Sequence, residues 1–406
     1  RAEVVEIMSG EVAATPAWAE FNIGFAAEVF RAAAAAVTAP RGEVLTDGRE
    51  NVIGLAVREP LGVVAAFAPW NAPLILSARA VAAPLAAGNS VVLRPSEAAP
   101  LSSGLFVADI LREAGLPDGV LNVITNDIAD ADVIARALVS DPRVNAVNFT
   151  GSTNVGRIIG TLAAEALKPA VLELGGKNAI LVLEDADVDY AVKAAIFGAY
   201  ANSGQICMSA DRILVHRSLV KEFTEKFSSV VSHLPFGGHD EPGVVVGPLV
   251  SESSARRLAA LIADAVAKGG TVLAGGGSVE GAIHPPTVLT DVPVGADLHH
   301  AEAFGPVCVI EAFDTDEEAV AKANDTEHGL TAGIITDNGT HGLRVAQRLR
   351  TGIVHINDQS VADDPEAPFG GVSASGYGRF GGRWGIEAFS STRWVTLATE
   401  QMPFPG

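Results

Sequence analysis

Short β-branched runs alternate along this chain with stretches of helical apolar period, and no other feature limits its fold so strongly. Gly62 to Phe67 precedes a helical pattern from Ala78 to Ala87, Ser90 to Leu93 precedes Ser102 to Ala114, and Leu121 to Ile124 precedes Ile128 to Val139. That alternation predicts an α/β protein with a parallel, doubly wound sheet. Val147 to Thr150, a helix from about Asn154 to Leu167 and a strand from Val171 to Leu174 complete a first α/β unit, which closes near Gly175. The pattern restarts with Ile180 to Leu183, an Ala-rich helix from about Val188 to Ala201, Arg212 to His216, and amphipathic helices over 218–232 and 252–268. A length of 406 residues agrees with a second core, since single cores stop growing near ~250 to 300 residues.

Two pieces fit neither unit. The polar alternating stretch Glu43 to Arg58 and the tail Phe389 to Pro405, with Trp394, Val395 and Leu397, both read as strands in want of a partner sheet. An arm shared between subunits and an ordinary hairpin are both open. Gly275 to Gly277 and Pro285-Pro286 mark turns, and no internal repeat is visible.

The formal charge of −20 repels phosphate backbones, so nucleic acid and anionic membranes are not expected partners, and small molecules become the default ligands. Cys207 and Cys308 are the only cysteines. They have neither the count nor the spacing of a disulfide framework or a zinc site, and no metal is expected. A soluble protein of the reducing cytoplasm fits best, because Arg79 interrupts the longest apolar run, Leu74 to Ala87. The first residue is Arg1 and no signal-peptide layout follows, so the expectation is that the amino terminus is truncated.

Four places carry residues suited to chemistry. Phe149-Thr150-Gly151-Ser152-Thr153 joins a strand to a helix start, where unpaired N–H groups attract phosphate, although a Ser before a helix is usually just a cap. Cys207, in Ser203-Gly204-Gln205-Ile206-Cys207-Met208, lies past a long helix with Gly204 allowing close backbone approach. It is either a nucleophile or a buried structural thiol. Glu173, in Leu172-Glu173-Leu174-Gly175-Gly176-Lys177, ends an apolar strand, where burial lifts a carboxyl towards neutrality and suits it to act as a base; a salt bridge to Lys177 or an Arg is the plainer reading. Asn71, in Pro69-Trp70-Asn71-Ala72-Pro73, is either an amide aimed at an oxyanion or a turn-forming Asn.

Together the motifs Pro-Trp-Asn, Phe-Thr-Gly-Ser-Thr, Glu-Leu-Gly-Gly-Lys, Gly-Gln-x-Cys, Glu-x-Phe-Gly-Pro-Val and Pro-Phe-Gly-Gly, in that order, resemble the aldehyde dehydrogenase superfamily from about residue 10 to the end. The resemblance implies two doubly wound α/β domains plus a small β oligomerisation arm. Residues 1–42 and 59–175 would bind NAD, 176–388 would be catalytic, and 43–58 with 389–406 would form the arm of a homodimer or homotetramer. It also implies a reaction: Cys207 attacks the aldehyde, Asn71 and the Cys207 backbone N–H hold the oxyanion, a hydride passes to nicotinamide, and Glu173 activates the water that releases the acid. Glu302 would hold the nicotinamide ribose with Phe304 packed nearby, whereas without the family pattern it reads as a surface carboxylate before a turn. Pro69, Trp70, Phe149, Gly151, Ser152 and Val155 fall along the same cofactor site, as do Leu174 and Gly175. Cys308, in an apolar strand, reads as core.

Glu97, in Leu93-Arg94-Pro95-Ser96-Glu97, falls where the resemblance places the adenosine ribose. A carboxylate accepts from free ribose hydroxyls and repels a 2'-phosphate, which favours NAD, while the planar fork of Arg94 leaves NADP open. The blocks around Asn71 and Cys207, with Gly376-Tyr377-Gly378-Arg379-Phe380-Gly381-Gly382, are similar to the benzaldehyde, vanillin and salicylaldehyde dehydrogenase branch. An aromatic aldehyde is therefore the expected substrate. Ile206, Met208 and Phe369 would give a ring apolar walls, and Arg79 either meets a ring hydroxyl or faces solvent. Two competing functions stay open: a CoA-acylating relative, which Glu173 argues against, and an inactive scaffold serving as a binding protein, which would be expected to lack Cys207 or Glu173. Ser391 stands where many relatives have a Glu, and Ser373 where a Lys is common.

Overall fold

The computed structural model of the chain describes residues 1–39, 41–277 and 279–402. A six-stranded sheet runs in the order Gly376–Tyr377, Ala170–Glu173, Val144–Thr150, Val63–Ala68, Ser90–Pro95, Leu121–Val123, and every neighbouring pair is parallel except the first. Val63–Ala68 comes first among the parallel strands in the chain yet lies inside the sheet. From it the chain winds outward to Leu121–Val123, then returns to the other side for Val144–Thr150. The carboxyl ends of Val63–Ala68 and Val144–Thr150 therefore flank a topological switch point, the place where ligands of open α/β sheets bind. Val64, Ala65 and Ala66 are wholly buried, as expected of a strand covered by helices on both faces.

The helix expected from Ala78 begins at Pro73, since a proline is preorganised for the first helical turn. Helices Ala2–Val12 and Pro16–Ala36 pack beside it, and Val4, Met8 and Val12 share one core with Val64 and Leu74. Gly376–Tyr377, which the sequence reading grouped with the second unit, pairs antiparallel with Leu172 and Glu173 at the edge of the first sheet.

A seven-stranded sheet has the order Thr271–Ala274, Thr287–Thr290, Val307–Phe313, Ala210–His216, Asn178–Val182, Thr331–Ile335, Ile353–Ile356, again parallel except for the first pair. Thr271–Ala274, Thr287–Thr290 and Ile353–Ile356 are four residues long, too short for a period of two to show in the sequence. The two orphan pieces pair with each other. Gly42–Leu45, Val52–Pro60 and Ser390–Ala398 form an antiparallel sheet in which Ser390 faces Pro60 and Ala398 faces Val52. Trp394 is 69% exposed and Val44 78% exposed, so this sheet keeps apolar surface free in a single chain. The last residues of the expected arm, 403–406, lie outside the described residues. Among the described residues no helix is long and apolar enough to cross a membrane.

Candidate active site

Cys207 is held by a loop that spends conformational energy. After helix Val188–Tyr200, Asn202, Ser203 and Gly204 all take left-handed backbone, with φ of 46°, 57° and 70°. For a residue with a Cβ this costs ~1–2 kcal/mol, so the surroundings must impose it. Asn202 Nδ2 donates to the Asn71 carbonyl at 2.9 Å, Ser203 Oγ to the Gly247 carbonyl at 2.9 Å, and Gln205 Oε1 accepts from Val250 N–H at 2.9 Å. Gly204 is required twice over, because a Cβ there would also lie 2.1 Å from the Gly305 oxygen. Beyond the thiol, Asn178 Nδ2 donates to the carbonyls of Cys207 at 2.8 Å and Ser209 at 2.9 Å. The Cys207 loop is thus fixed on both sides.

Glu173 ends a strand of the other sheet and is 2% exposed, and its Oε1 has no hydrogen-bond partner. The salt bridge to Lys177 does not form, since Lys177 Nζ meets Asp211 at 3.0 Å instead. Burial pushes the Glu173 carboxyl up to about 7, against the opposing pull of the Cys207 thiol and the Arg79 charge. The Cys207 thiol is pushed well above its usual range by burial and by the neighbouring Glu173 carboxylate. Asn71 is buried in the turn after Val63–Ala68. Its Nδ2 donates to the Gln205 carbonyl at 2.9 Å, and its own carbonyl accepts from Trp18 Nε1 at 2.9 Å.

A cavity of about 420 Å³ opens between the two parallel sheets. Pro69, Trp70 and Asn71 reach it from the end of one strand, Thr150, Gly151 and Ser152 from the end of the next, and Glu173 and Gly175 from the third. Cys207, Glu302 and Phe304 face it from the other side. Glu302 Oε1 accepts from Gly176 N–H at 3.0 Å, and a Cβ on Gly175 would lie 2.4 Å from Glu302 Oε2, so Gly175 makes room for that carboxyl, while a Cβ on Gly176 would lie 2.5 Å from the Cys207 carbonyl oxygen. Burial lifts Glu302 to about 8, against the Gly176 bond. Phe304 has φ 47° and meets the Trp70 ring edge-on at 5.7 Å.

These residues fit a dinucleotide. The cavity lies at the switch point, Ser152 caps helix Thr153–Glu165 at its mouth by accepting from Val155 N–H at 3.4 Å, and a helix N-terminus favours a pyrophosphate. The half-buried Glu302 carboxyl, with one oxygen outside the Gly176 bond, stands beside it to receive ribose hydroxyls. Among the described residues no cluster of three His, Cys, Asp or Glu side chains is arranged to hold a metal ion.

Comparison with known proteins decides what this constellation belongs to: the pattern described as the aldehyde dehydrogenase family matches residues 1–395. The chain belongs to the aldehyde dehydrogenase family. It is 47% identical over 397 residues to a vanillin dehydrogenase of Pseudomonas fluorescens, covering 98% of this chain and 82% of that one. It is 40% identical over 402 residues to a salicylaldehyde dehydrogenase of Pseudomonas putida, covering 99% and 83%. Among solved structures, the salicylaldehyde dehydrogenase of Pseudomonas putida G7 complexed with salicylaldehyde superposes with a TM-score of 0.97 at 38% identity, covering 100% of this chain and 84% of that one. A betaine aldehyde dehydrogenase from Staphylococcus aureus in complex with NAD+ gives 0.93 at 30%, covering 98% and 80%. The protein is an oxidoreductase that oxidises an aldehyde with NAD(P).

Other residues of this aldehyde dehydrogenase that the sequence singled out lie further off. Arg94 is ion-paired with Glu97, and its Nε donates to Asn126 Oδ1 at 2.8 Å, so its charge is already engaged. Ser96 is buried, and its Oγ accepts from Ala98 N–H at 3.3 Å. Phe149 lies behind Gly151 and Leu174 behind Gly156, where a Cβ would come within 2.7 Å and 2.2 Å of them, while Val155 is 44% exposed. Ile206, Met208 and Phe369 are buried in one apolar cluster against which Cys207 packs. Arg79 corrects one alternative: it does not face solvent. It is 6% exposed, ion-paired with Asp363 and 4.0 Å over the Phe369 ring. Leu76, Asn154, Gln205, Ser254 and Arg257 also line the cavity. Ser254 and Arg257 belong to helix Glu252–Ala267, whose sequence shows only an amphipathic surface helix; Arg257 reaches the cavity because it donates to the Glu302 and Ala303 carbonyls.

Proposed function

We propose that this aldehyde dehydrogenase oxidises an aromatic aldehyde to its carboxylic acid through a covalent thioester on Cys207. The observation that carries the reading is the buried, partly unpartnered Glu173 carboxyl beside the Cys207 thiol in one cavity. A carboxyl near 7 is matched to proton transfer at neutral pH, and a thiol pushed upward needs a neighbour to take its proton. Glu173 accepts the Cys207 proton as the sulfur bonds to the aldehyde carbon, giving a thiohemiacetal. Asn71 Nδ2 and the Cys207 N–H donate to the oxygen as its charge develops. When bound, NAD(P) supplies the acceptor for the hydride that leaves the same carbon. Glu173 releases that first proton to solvent, and the ionised carboxylate then removes a proton from water as the water oxygen attacks the thioester carbon and returns it to the sulfur. The C–S bond breaks, the acid departs and the thiol is restored. Glu302 would orient the cofactor through its ribose, with Phe304 against Trp70 beside it.

NAD is the preferred cofactor in this reading, because the free Glu97 oxygen can accept from ribose hydroxyls, while Arg94, paired with Glu97 and Asn126, is not free to grip a 2'-phosphate. The aromatic substrate class rests on the vanillin, salicylaldehyde and benzaldehyde dehydrogenases among the relatives, and the apolar cluster of Ile206, Met208 and Phe369, which does not itself line the cavity, packs against Cys207. The exposed apolar face of the three-stranded sheet suits a subunit contact, in a homodimer or homotetramer working in the cytoplasm. A CoA-acylating enzyme is disfavoured by Glu173 and an inactive scaffold by the complete Cys207, Glu173, Asn71 and Glu302 set.

The test is NADH formation by the purified chain with salicylaldehyde, benzaldehyde and propanal. Turnover of the aromatic pair above propanal, abolished in Cys207→Ala, is expected. Preference for propanal would remove the aromatic claim, and activity surviving in Cys207→Ala would remove the mechanism.

A further inference from the structure

The mechanism above gives the buried Lys177–Asp211 ion pair no task. The side chains of Lys177 and Asp211 are 1% and 5% exposed and meet at 3.0 Å. Such a pair is weak evidence for stability, because apolar residues of similar volume often replace one without loss. What distinguishes this pair is where its other bonds go. Lys177 Nζ also donates to the Ala301 carbonyl at 2.7 Å, and the same Asp211 oxygen that meets Lys177 accepts from the Ala303 N–H at 3.0 Å. The pair therefore grips the backbone on both sides of Glu302. Its members also belong to the two other segments of the site. Lys177 follows Gly176, whose N–H holds the Glu302 carboxylate, and Asp211 lies in the strand Ala210–His216 that continues from the Cys207 loop. Arg212 braces the join, with its Nη2 donating to the Lys177 carbonyl at 2.7 Å.

We propose that Lys177 and Asp211 are positioning residues for the cofactor: by clamping Ala301 and Ala303 they hold Glu302 in register with Gly176 and with the Cys207 loop. The proposal rests on the reading that Glu302 meets the nicotinamide ribose. Backbone anchors of this kind fix a carboxylate more tightly than its own rotamer can, and a small misplacement of a binding group is costly.

The experiment uses the full chain and three readouts: NADH binding by fluorescence without aldehyde, alkylation of Cys207 by iodoacetamide without cofactor, and Tm. The double variant Lys177→Met with Asp211→Leu buries no lone charge and removes both clamps. It should bind NADH about tenfold more weakly, while Cys207 alkylation stays within about twofold of the parent. Asp211→Asn keeps an oxygen able to serve both Lys177 and Ala303, so NADH affinity should stay close to the parent even though Tm falls with the uncompensated Lys177 charge. Should the double variant not fold, Asp211→Ala compared with Asp211→Asn asks the same question of the Ala303 clamp. A double variant that binds NADH like the parent, or an Asp211→Asn whose affinity falls in step with its Tm, overturns the proposal and leaves the pair a stabilising feature. Glu302→Gln separates the two levels. If it weakens NADH binding while the double variant does not, only the clamp is refuted; if it leaves NADH binding unchanged, the ribose reading fails and the clamp with it.

Discussion

The two parallel sheets serve the same cavity from opposite ends of their strands. The six-stranded sheet presents carboxyl ends: Asn71 follows Val63–Ala68, Gly151 follows Val144–Thr150, and Glu173 closes Ala170–Glu173. The seven-stranded sheet presents amino ends, since Cys207 comes before Ala210–His216 and Glu302 before Val307–Phe313. The first arrangement follows a general rule of α/β sheets, and strand ends deliver those groups with little help. The second has no such rule behind it. Its groups sit on loops that must be forced into shape by left-handed residues, by Gly204 against Gly305 and by side chains gripping backbone carbonyls.

If that contrast is sound, the groups on strand ends should fail by chemistry and those on loops by geometry. The largest effect is expected at Glu173. Glu173→Gln preserves shape, so it should lower steady-state turnover by about 10²–10⁴-fold with little change in the affinity for NADH. In the parent, activity limited by this group rises as pH passes about 7, where the carboxyl ionises; a pH–rate profile with no inflection near neutrality would count against Glu173 as the base. Asn71→Ala should cost about 10²–10³-fold in kcat, read from aldehyde turnover at saturating cofactor.

Gly204→Ala attacks the other side. The new Cβ would meet Gly305 backbone rather than a movable side chain, and the left-handed conformation adds its own penalty. A loss of a few kcal/mol, on the order of 3, should appear as a lower midpoint in urea together with slower Cys207 alkylation. Gly151→Ala on the first sheet meets the Phe149 ring at 2.7 Å, a side chain able to turn aside, and should be milder. Equal losses at the two glycines would dissolve the comparison.

The smallest effect concerns stability and pH. The folded-state pKa of Glu173 is raised from 4.5 to about 7, so the fold favours the protonated carboxyl. The unfolded chain ionises first, and stability falls as pH rises from about 4.5 through about 7. Glu173→Gln mimics the neutral acid. Its Tm should match the parent near pH 5 and exceed it by a few degrees at pH 8, with thermal melts at both values as the check. A variant less stable at pH 8 would show that the ionised carboxylate is welcome in the fold.

Much of the site was legible because local sequence encodes it. Glycines stand at 175, where Glu302 comes close, and at 176, where the Cys207 carbonyl does, and an apolar strand ending in Glu173 announces a buried carboxyl. Gly204 before Cys207 announces tight backbone packing, here against Gly305. Residues with no local signal were missed. Arg257 and Ser254 reach the cavity from an ordinary amphipathic helix, and Asp211 is an acidic residue at the start of a strand like many others until Lys177 and Ala303 meet it. For Arg79 the sequence leaves a ring-hydroxyl contact and a solvent-facing place both open, because an arginine in an apolar helix declares no partner. Asp363, far along the chain, is that partner.

The sequence by itself determined the alternation that makes two α/β sheets, the helix start capped by Ser152 and the residue types that the proposed thioester chemistry needs, all of which depend on neighbours within a few positions. Tertiary structure alone decided that the carboxyl edge of one sheet faces the amino edge of the other, that the tail pairs with Val52–Pro60, and that the dry Glu173 carboxyl stands beside Cys207 with one oxygen unpartnered. These depend on contacts between segments tens to hundreds of residues apart, and on the exclusion of water that such contacts create. No local pattern carries that information, because desolvation belongs to the assembled cavity rather than to any stretch of chain.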